Sequence, residues 1–130
     1  MNFPRQSHTA TMLNDGRVLV AGGSGITGPL PTSETYDPDT DTWTTNGWMS
    51  FARAFHTATL LRDGRVLITG GAGETGALRI AEIYDPETNA WTAIADMPNA
   101  HTLHTATLLK NGKILVVGGI SDDGSVDAVD

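Results

Sequence analysis

FHTATLLRDGRVLITGG, Phe55 to Gly71, contains an Asp-Gly turn between two β-rich runs and ends on a glycine pair. Its hairpin pattern decides little until it is found again. SHTATMLNDGRVLVAGG occupies Ser7 to Gly23 and LHTATLLKNGKILVVGG occupies Leu103 to Gly119, so His8, His56 and His104 recur every 48 residues. The pairs Gly22-Gly23, Gly70-Gly71 and Gly118-Gly119 keep that interval, as do Tyr36 with Tyr84 and Trp43 with Trp91. A fixed period of this length marks a repeat architecture, in which each unit buries its faces against its neighbours.

Three units follow: residues 1–48, residues 49–96, and a truncated third from 97 to 130. The first two align without a gap and match at about half of their positions, whereas the third ends at the equivalent of Glu34 and Glu82, before its Tyr-Asp-Pro and Trp. Each complete unit reads as four short strands. His8 to Leu13 leads through Asn14-Asp15-Gly16-Arg17 into Val18-Leu19-Val20-Ala21, whose residues are apolar on both faces as in an inner strand. After a Gly-rich loop, Glu34-Thr35-Tyr36 forms a third strand, and Asp37-Pro38-Asp39-Thr40-Asp41 turns into a fourth at Trp43. Four antiparallel strands per unit at this period predict an all-β fold, a β-propeller segment with two complete blades and one truncated.

The frame Arg53, His56-Thr57, Asp63-Gly64, Gly70-Gly71, Glu82, Tyr84-Asp85-Pro86 and Trp91 resembles the kelch repeat. That resemblance implies that the first strand of each blade is innermost. The inter-blade connectors (46–52 and 95–102) and the Gly-rich loops (24–31, 72–79 and 120–126) then share one face, with the Asp-Gly and Asp-Pro turns on the other. Phe55-His56 is also similar to the segment around a copper-binding His of the galactose oxidase family. In that family the preceding residue is a copper-binding tyrosine and a second tyrosine is crosslinked to a cysteine. Here the preceding residues are Ser7, Phe55 and Leu103, and the chain has no cysteine.

Gly22, Gly23 and their equivalents are expected to allow backbone shapes and close blade approach, since no helix follows them to cradle a phosphate. Tyr36, Trp43, Tyr84 and Trp91 are expected to wedge between blades with buried rings. Arg5 and Arg53 should pair with Glu34 and Glu82. His8, His56 and His104 begin the innermost strands, where imidazoles could converge on a metal; their recurrence in every unit points instead to anchoring hydrogen bonds. Asp37 to Asp41 lacks the central Gly and distal Glu of a calcium loop and reads as a turn, and Ser121 to Gly124 likewise reads as a plain turn.

Ligand-binding residues are sought where the units differ. Trp48, Phe51 and Phe55, with Met49, concentrate apolar side chains at the first connector, and His101 replaces the Arg of the other units. The expectation is a non-enzymatic scaffold for a protein or carbohydrate ligand, with no cofactor. Two alternatives are part of a galactose oxidase-like copper enzyme and a self-assembling structural fragment. A net charge of -7 with eight scattered basic residues argues against nucleic acid and anionic membranes, and no apolar run is long enough to span a bilayer. The missing blades would come from a larger propeller or from self-association. Close matching between units resembles extracytoplasmic bacterial kelch proteins, and any secretion signal would lie outside this sequence.

Overall fold

The computed structural model describes residues 1–125 and contains only strands, turns and loops there. The remainder of the third unit, including Val126 of its Gly-rich loop, lies outside the described residues. The first sheet comprises β1 (Thr9–Met12), β2 (Val18–Ala21), β5 (Ser33–Asp37) and β6 (Thr42–Thr45), antiparallel and in that order. Between β2 and β5 the Gly-rich loop forms a two-residue ribbon, β3 (Ser24–Gly25) with β4 (Gly28–Pro29), a detail the sequence reading treats as plain loop.

The second sheet repeats the order with β7 (Thr57–Leu60), β8 (Val66–Thr69), β9 (Ala81–Asp85) and β10 (Ala90–Ala93). The third unit contributes the hairpin β11 (Thr105–Leu108) with β12 (Ile114–Val117), followed by the ribbon β13 (Ile120–Ser121) with β14 (Gly124–Ser125). The register repeats with the sequence: Tyr36 sits opposite Trp43, and Tyr84 opposite Trp91.

The sheets adjoin through their first strands, with β1 beside β7 and β7 beside β11. Every residue of β8 is buried, since among the described residues the second sheet has a neighbour on both sides. The main core lies between the first two sheets: Leu13, Leu19 and Ala21 from one meet Val66, Ile68 and Tyr84 from the other, with Met49 closing one end.

Identical residues fare differently across this stack. Tyr84 is fully buried against the first sheet and Trp91 donates its indole N–H to Ser33 Oγ at 3.0 Å across the seam. Tyr36 and Trp43 make the same ring contact with each other, with centroids 5.1 Å apart, yet they are only half-buried. The expected wedge is therefore formed by Tyr84, with Trp91 partly buried beside it, and not by the first pair, because among the described residues nothing packs against that side of the first sheet. Trp91→Phe, which keeps the ring and deletes the donor, should cost about 1 kcal/mol in urea unfolding. Trp43→Phe should cost less than about 0.5 kcal/mol.

Candidate functional site

The connector between the first and second sheets alternates between anchoring and exposed side chains. Met49 is buried in the core, and so is not part of the apolar surface the sequence reading assigned to it. Arg53 is completely buried. Trp48, Phe51 and Phe55 lie between and beside these anchors and are exposed, Trp48 at 66% of its surface and the two phenylalanines at 44% each. His101, grouped with them on sequence, is fully buried, and its Nδ1 shares a 2.8 Å hydrogen bond with Gly118 O. It occupies the place where Arg53 meets Gly70 O in the second unit, so it contributes beneath the surface.

Arg53 explains why the connector is held so firmly. Its guanidinium donates to the carbonyls of Gly70 and Ile80 at 2.9 Å each and to Glu82 Oε2 at 2.6 Å, with both charged side chains out of solvent. Glu82 Oε1 accepts the Ser50 N–H at 2.7 Å. Burial lowers the Arg53 pKa, and the Glu82 charge opposes that shift. Arg5 makes the equivalent contacts with Gly22 O, Thr32 O and Glu34. Each buried charge thus has an opposite partner, and each guanidinium also ties the end of a core strand to the connector.

The glycine pairs and the histidines form the joints between sheets. Gly22 has φ +60°, and a Cβ there would lie 2.6 Å from Arg53 O and 2.6 Å from His56 Cε1. Gly23, at φ +93°, donates its N–H to Arg53 O at 2.8 Å. His56 Nε2 shares a 3.0 Å hydrogen bond with Thr9 Oγ1 of the preceding sheet; His104 Nε2 does the same with Thr57 Oγ1 and lies 3.1 Å from Thr69 Oγ1. Burial, reinforced by the Arg53 charge, pushes the His56 pKa down to about 3. Burial and the neighbouring His101 lower that of His104 to about 4. Both imidazoles are neutral at pH 7. His8, with no sheet on its outer side among the described residues, is exposed.

The residue before each histidine has a left-handed backbone without being glycine: Ser7, Phe55 and Leu103 have φ of 55°, 56° and 57°. Such a conformation costs an ordinary residue about 1–2 kcal/mol and persists where surrounding contacts enforce it. Here the enforcing contacts are backbone bonds that run from sheet to sheet, Phe55 N–H to Ser7 O and Leu103 N–H to Phe55 O, both 3.1 Å. Phe55 and Leu103 consequently display exposed apolar side chains on rigid backbone beside the innermost strands.

The loops gather as the topology requires. Met49 N–H bonds Pro31 O and Arg53 N–H bonds Leu30 O, which brings the connector against the Gly-rich loop. Ala77 N–H bonds Asp122 Oδ1 at 2.8 Å, linking the Gly-rich loops of the second and third units. The Asp-Gly and Asp-Pro turns meet at the other end of the strands. A hollow of about 390 Å³ there is lined by Leu13, Asn14, Asp15, Asp63, Asp85 and Glu87 among others. Asp15 and Asp63 there are paired with Arg17 and Arg65.

Residues 53–98 match the family model of the Kelch motif. The fold is that of a β-propeller segment, and its second unit carries the Kelch motif. Each four-stranded sheet is accordingly a blade, and its first strand lies innermost. A solved structure described as a novel fungal alcohol oxidase with catalytic diversity among the AA5 family, in complex with copper, is similar with a TM-score of 0.79. The match covers 90% of this chain at 18% identity and 27% of the oxidase chain. At that identity the likeness is one of fold. No curated protein matches the sequence.

Copper does not fit the donors present. Among the described residues no three His, Cys, Asp or Glu side chains gather as a metal site, and the imidazoles of successive blades each turn Nε2 to threonine hydroxyls. The Asp37 to Asp41 segment is closed on itself, Asp37 accepting the Asp39 N–H and Asp41 accepting the Tyr36 hydroxyl.

Proposed function

We propose that the chain is a non-enzymatic binding scaffold whose ligand, a protein or a carbohydrate, meets the face that carries the connectors and Gly-rich loops. The Kelch motif itself suggests a propeller scaffold. The observation that carries the finer reading is the division of labour along one connector. Met49 and Arg53 hold the backbone from below, while Trp48, Phe51 and Phe55 remain exposed on it. Large aromatic side chains on a backbone already fixed lose little entropy on binding, which is what protein hot spots and sugar-stacking platforms require. The repeated Arg, Glu and Gly residues join the blades, and His56 and His104 do so through Nε2.

Trp48 supplies the readout. Panels of oligosaccharides and of peptides should include ligands that shift its fluorescence. Trp48→Ala and Phe55→Gly should each weaken such a ligand by about 30-fold or more, the usual scale of a hot-spot truncation. Phe55→Gly should not lower stability, because glycine accepts the left-handed backbone and the lost ring was half in water. A ligand held with undiminished affinity by the triple variant Trp48→Ala/Phe51→Ala/Phe55→Gly would place the binding surface elsewhere.

A further inference from the structure

The connector that leads into the second blade displays aromatic rings, while its longest polar side chains turn inward. Asn46 is buried and donates its amide to Thr35 Oγ1 at 2.7 Å, and Arg53 is occupied by Gly70, Ile80 and Glu82. The Ser50 N–H is held by Glu82. A sugar site adds to its ring a set of convergent polar groups that fix the hydroxyls. Along this connector those groups serve the fold.

Charge comes from the neighbouring loops. Ala54 and Ala72 exchange backbone hydrogen bonds of 3.0 and 2.7 Å, and Thr102 and Ile120 exchange bonds of 2.9 and 2.8 Å. The Gly-rich loops of the second and third blades therefore rise directly beside Phe55 and Leu103. Just past each bridge stands an acid, Glu74 in one loop and Asp122 in the other, and Asp123 follows. Asp122 is engaged with the Ala77 N–H of the adjacent loop, whereas Glu74 and Asp123 are exposed. The Gly-rich loop of the first blade has no charged residue and carries Ile26, fully exposed.

The cations lie elsewhere. Arg17, Arg62, Arg65, Lys110 and Lys113 belong to the Asp-Gly and Asn-Gly turns at the opposite end of the strands. Arg5 and Arg53 are buried against Glu34 and Glu82, and Arg79 is paired with Asp96 at 3.2 Å. Among the described residues, the face around the rings is thus apolar toward the first blade and acidic toward the second and third.

We infer that the ligand of this face is a protein segment in which an apolar side chain stands beside Arg or Lys. The apolar side chain anchors on Phe55 and Leu103, and the cation meets Glu74 and Asp123. The ring faces of Trp48 and Phe51 accept a further cation. Charge complementarity selects the partner, and the aromatic anchors supply most of the affinity. This inference rests on the scaffold reading above and assigns the chemistry of its ligand.

The probes are a peptide of alternating Leu and Arg, the same peptide with Glu for each Arg, and a neutral cello-oligosaccharide, each titrated calorimetrically into the chain at low ionic strength. The Leu-Arg peptide should bind, and more weakly as salt is added. Glu74→Gln/Asp123→Asn should weaken it by about five-fold and flatten the salt dependence. Asp39→Asn/Glu87→Gln, the same charge change among the turns, should leave it unaltered. All four side chains are exposed, so both variants should keep the wild-type unfolding midpoint. Absence of Leu-Arg binding, equal binding of the Leu-Glu peptide, or equal weakening by the two charge variants would overturn the inference. An oligosaccharide that binds instead, and is lost in Trp48→Ala/Phe51→Ala/Phe55→Gly, would overturn it and leave the scaffold reading standing. Leu-Arg binding that this triple variant keeps undiminished would remove both.

Discussion

Glu82→Ala is expected to be the most damaging single substitution outside the glycine pairs, costing about 3–5 kcal/mol in urea or thermal unfolding. The cost comes from what is left behind. Arg53 would remain buried with its charge uncompensated, and the Ser50 N–H would lose its acceptor. For a domain whose total stability is of the order of 5–15 kcal/mol, that loss removes much of the folded population at physiological temperature. Glu82→Gln should be milder, keeping an acceptor for Ser50 but not the charge. Arg53→Leu/Glu82→Leu should recover only part of the loss, because Gly70 O and Ile80 O would be stranded where the guanidinium had served them. By contrast Asp63→Ala, which breaks the exposed pair with Arg65, should leave stability nearly unchanged. Equal effects at the two acids would contradict the clamp.

Acidification should destabilise the fold well before its carboxylates titrate. His56 and His104 have folded-state pKa values pushed down to about 3 and about 4, whereas unfolded histidine titrates near 6.5. Between those limits the unfolded chain binds more protons than the folded one. The contribution of the two neutral imidazoles is therefore complete above about pH 6.5 and is lost as the pH falls toward the folded values. Each histidine gives a slope approaching about 1.4 kcal/mol per pH unit below pH 6, so lowering the pH from 6.5 to 5 should cost up to about 3 kcal/mol for the pair, less where solvent screens the His104 charge. The physical reason is the joint itself: protonation would put a cation beneath the glycine pair, beside Arg53 in one joint and His101 in the other. Urea midpoints measured between pH 7.5 and 5 should fall steeply, and His104→Gln should halve the slope. Midpoints that do not move over that range would remove the histidines from the account.

The blade was legible because its determinants are local and exact. An Asp-Gly turn, a glycine pair and a Tyr-Trp pair at one interval specify a four-stranded unit without knowledge of anything outside it. What occupies each residue was less legible, because that depends on the neighbour. Tyr36 and Tyr84 carry the same sequence signal, yet one is half in water and the other is sealed, since only the second has a blade against it. The partner of His56 is Thr9, nearly one whole unit earlier, and nothing in the local sequence around either residue links them. Trp48 and Met49 are adjacent and similarly apolar, and only the path of the connector decides that one is displayed and the other buried. The left-handed backbone at Ser7, Phe55 and Leu103 had no residue-type signal, because none is a glycine or an asparagine. The exchange of Arg for His101 was visible as a difference between units, but its burial against Gly118 O was not.

The central claim is that the repeated histidines join blades and leave binding to the residues that vary. It is tested most directly by titrating copper(II) into the purified chain while following the imidazole nitrogen resonances of His56 and His104. The account predicts two neutral imidazoles whose resonances persist through a full equivalent of copper, with each Nε2 still hydrogen-bonded to threonine. One equivalent of copper that abolishes both resonances together, and that is no longer bound after His56→Ala, would contradict it.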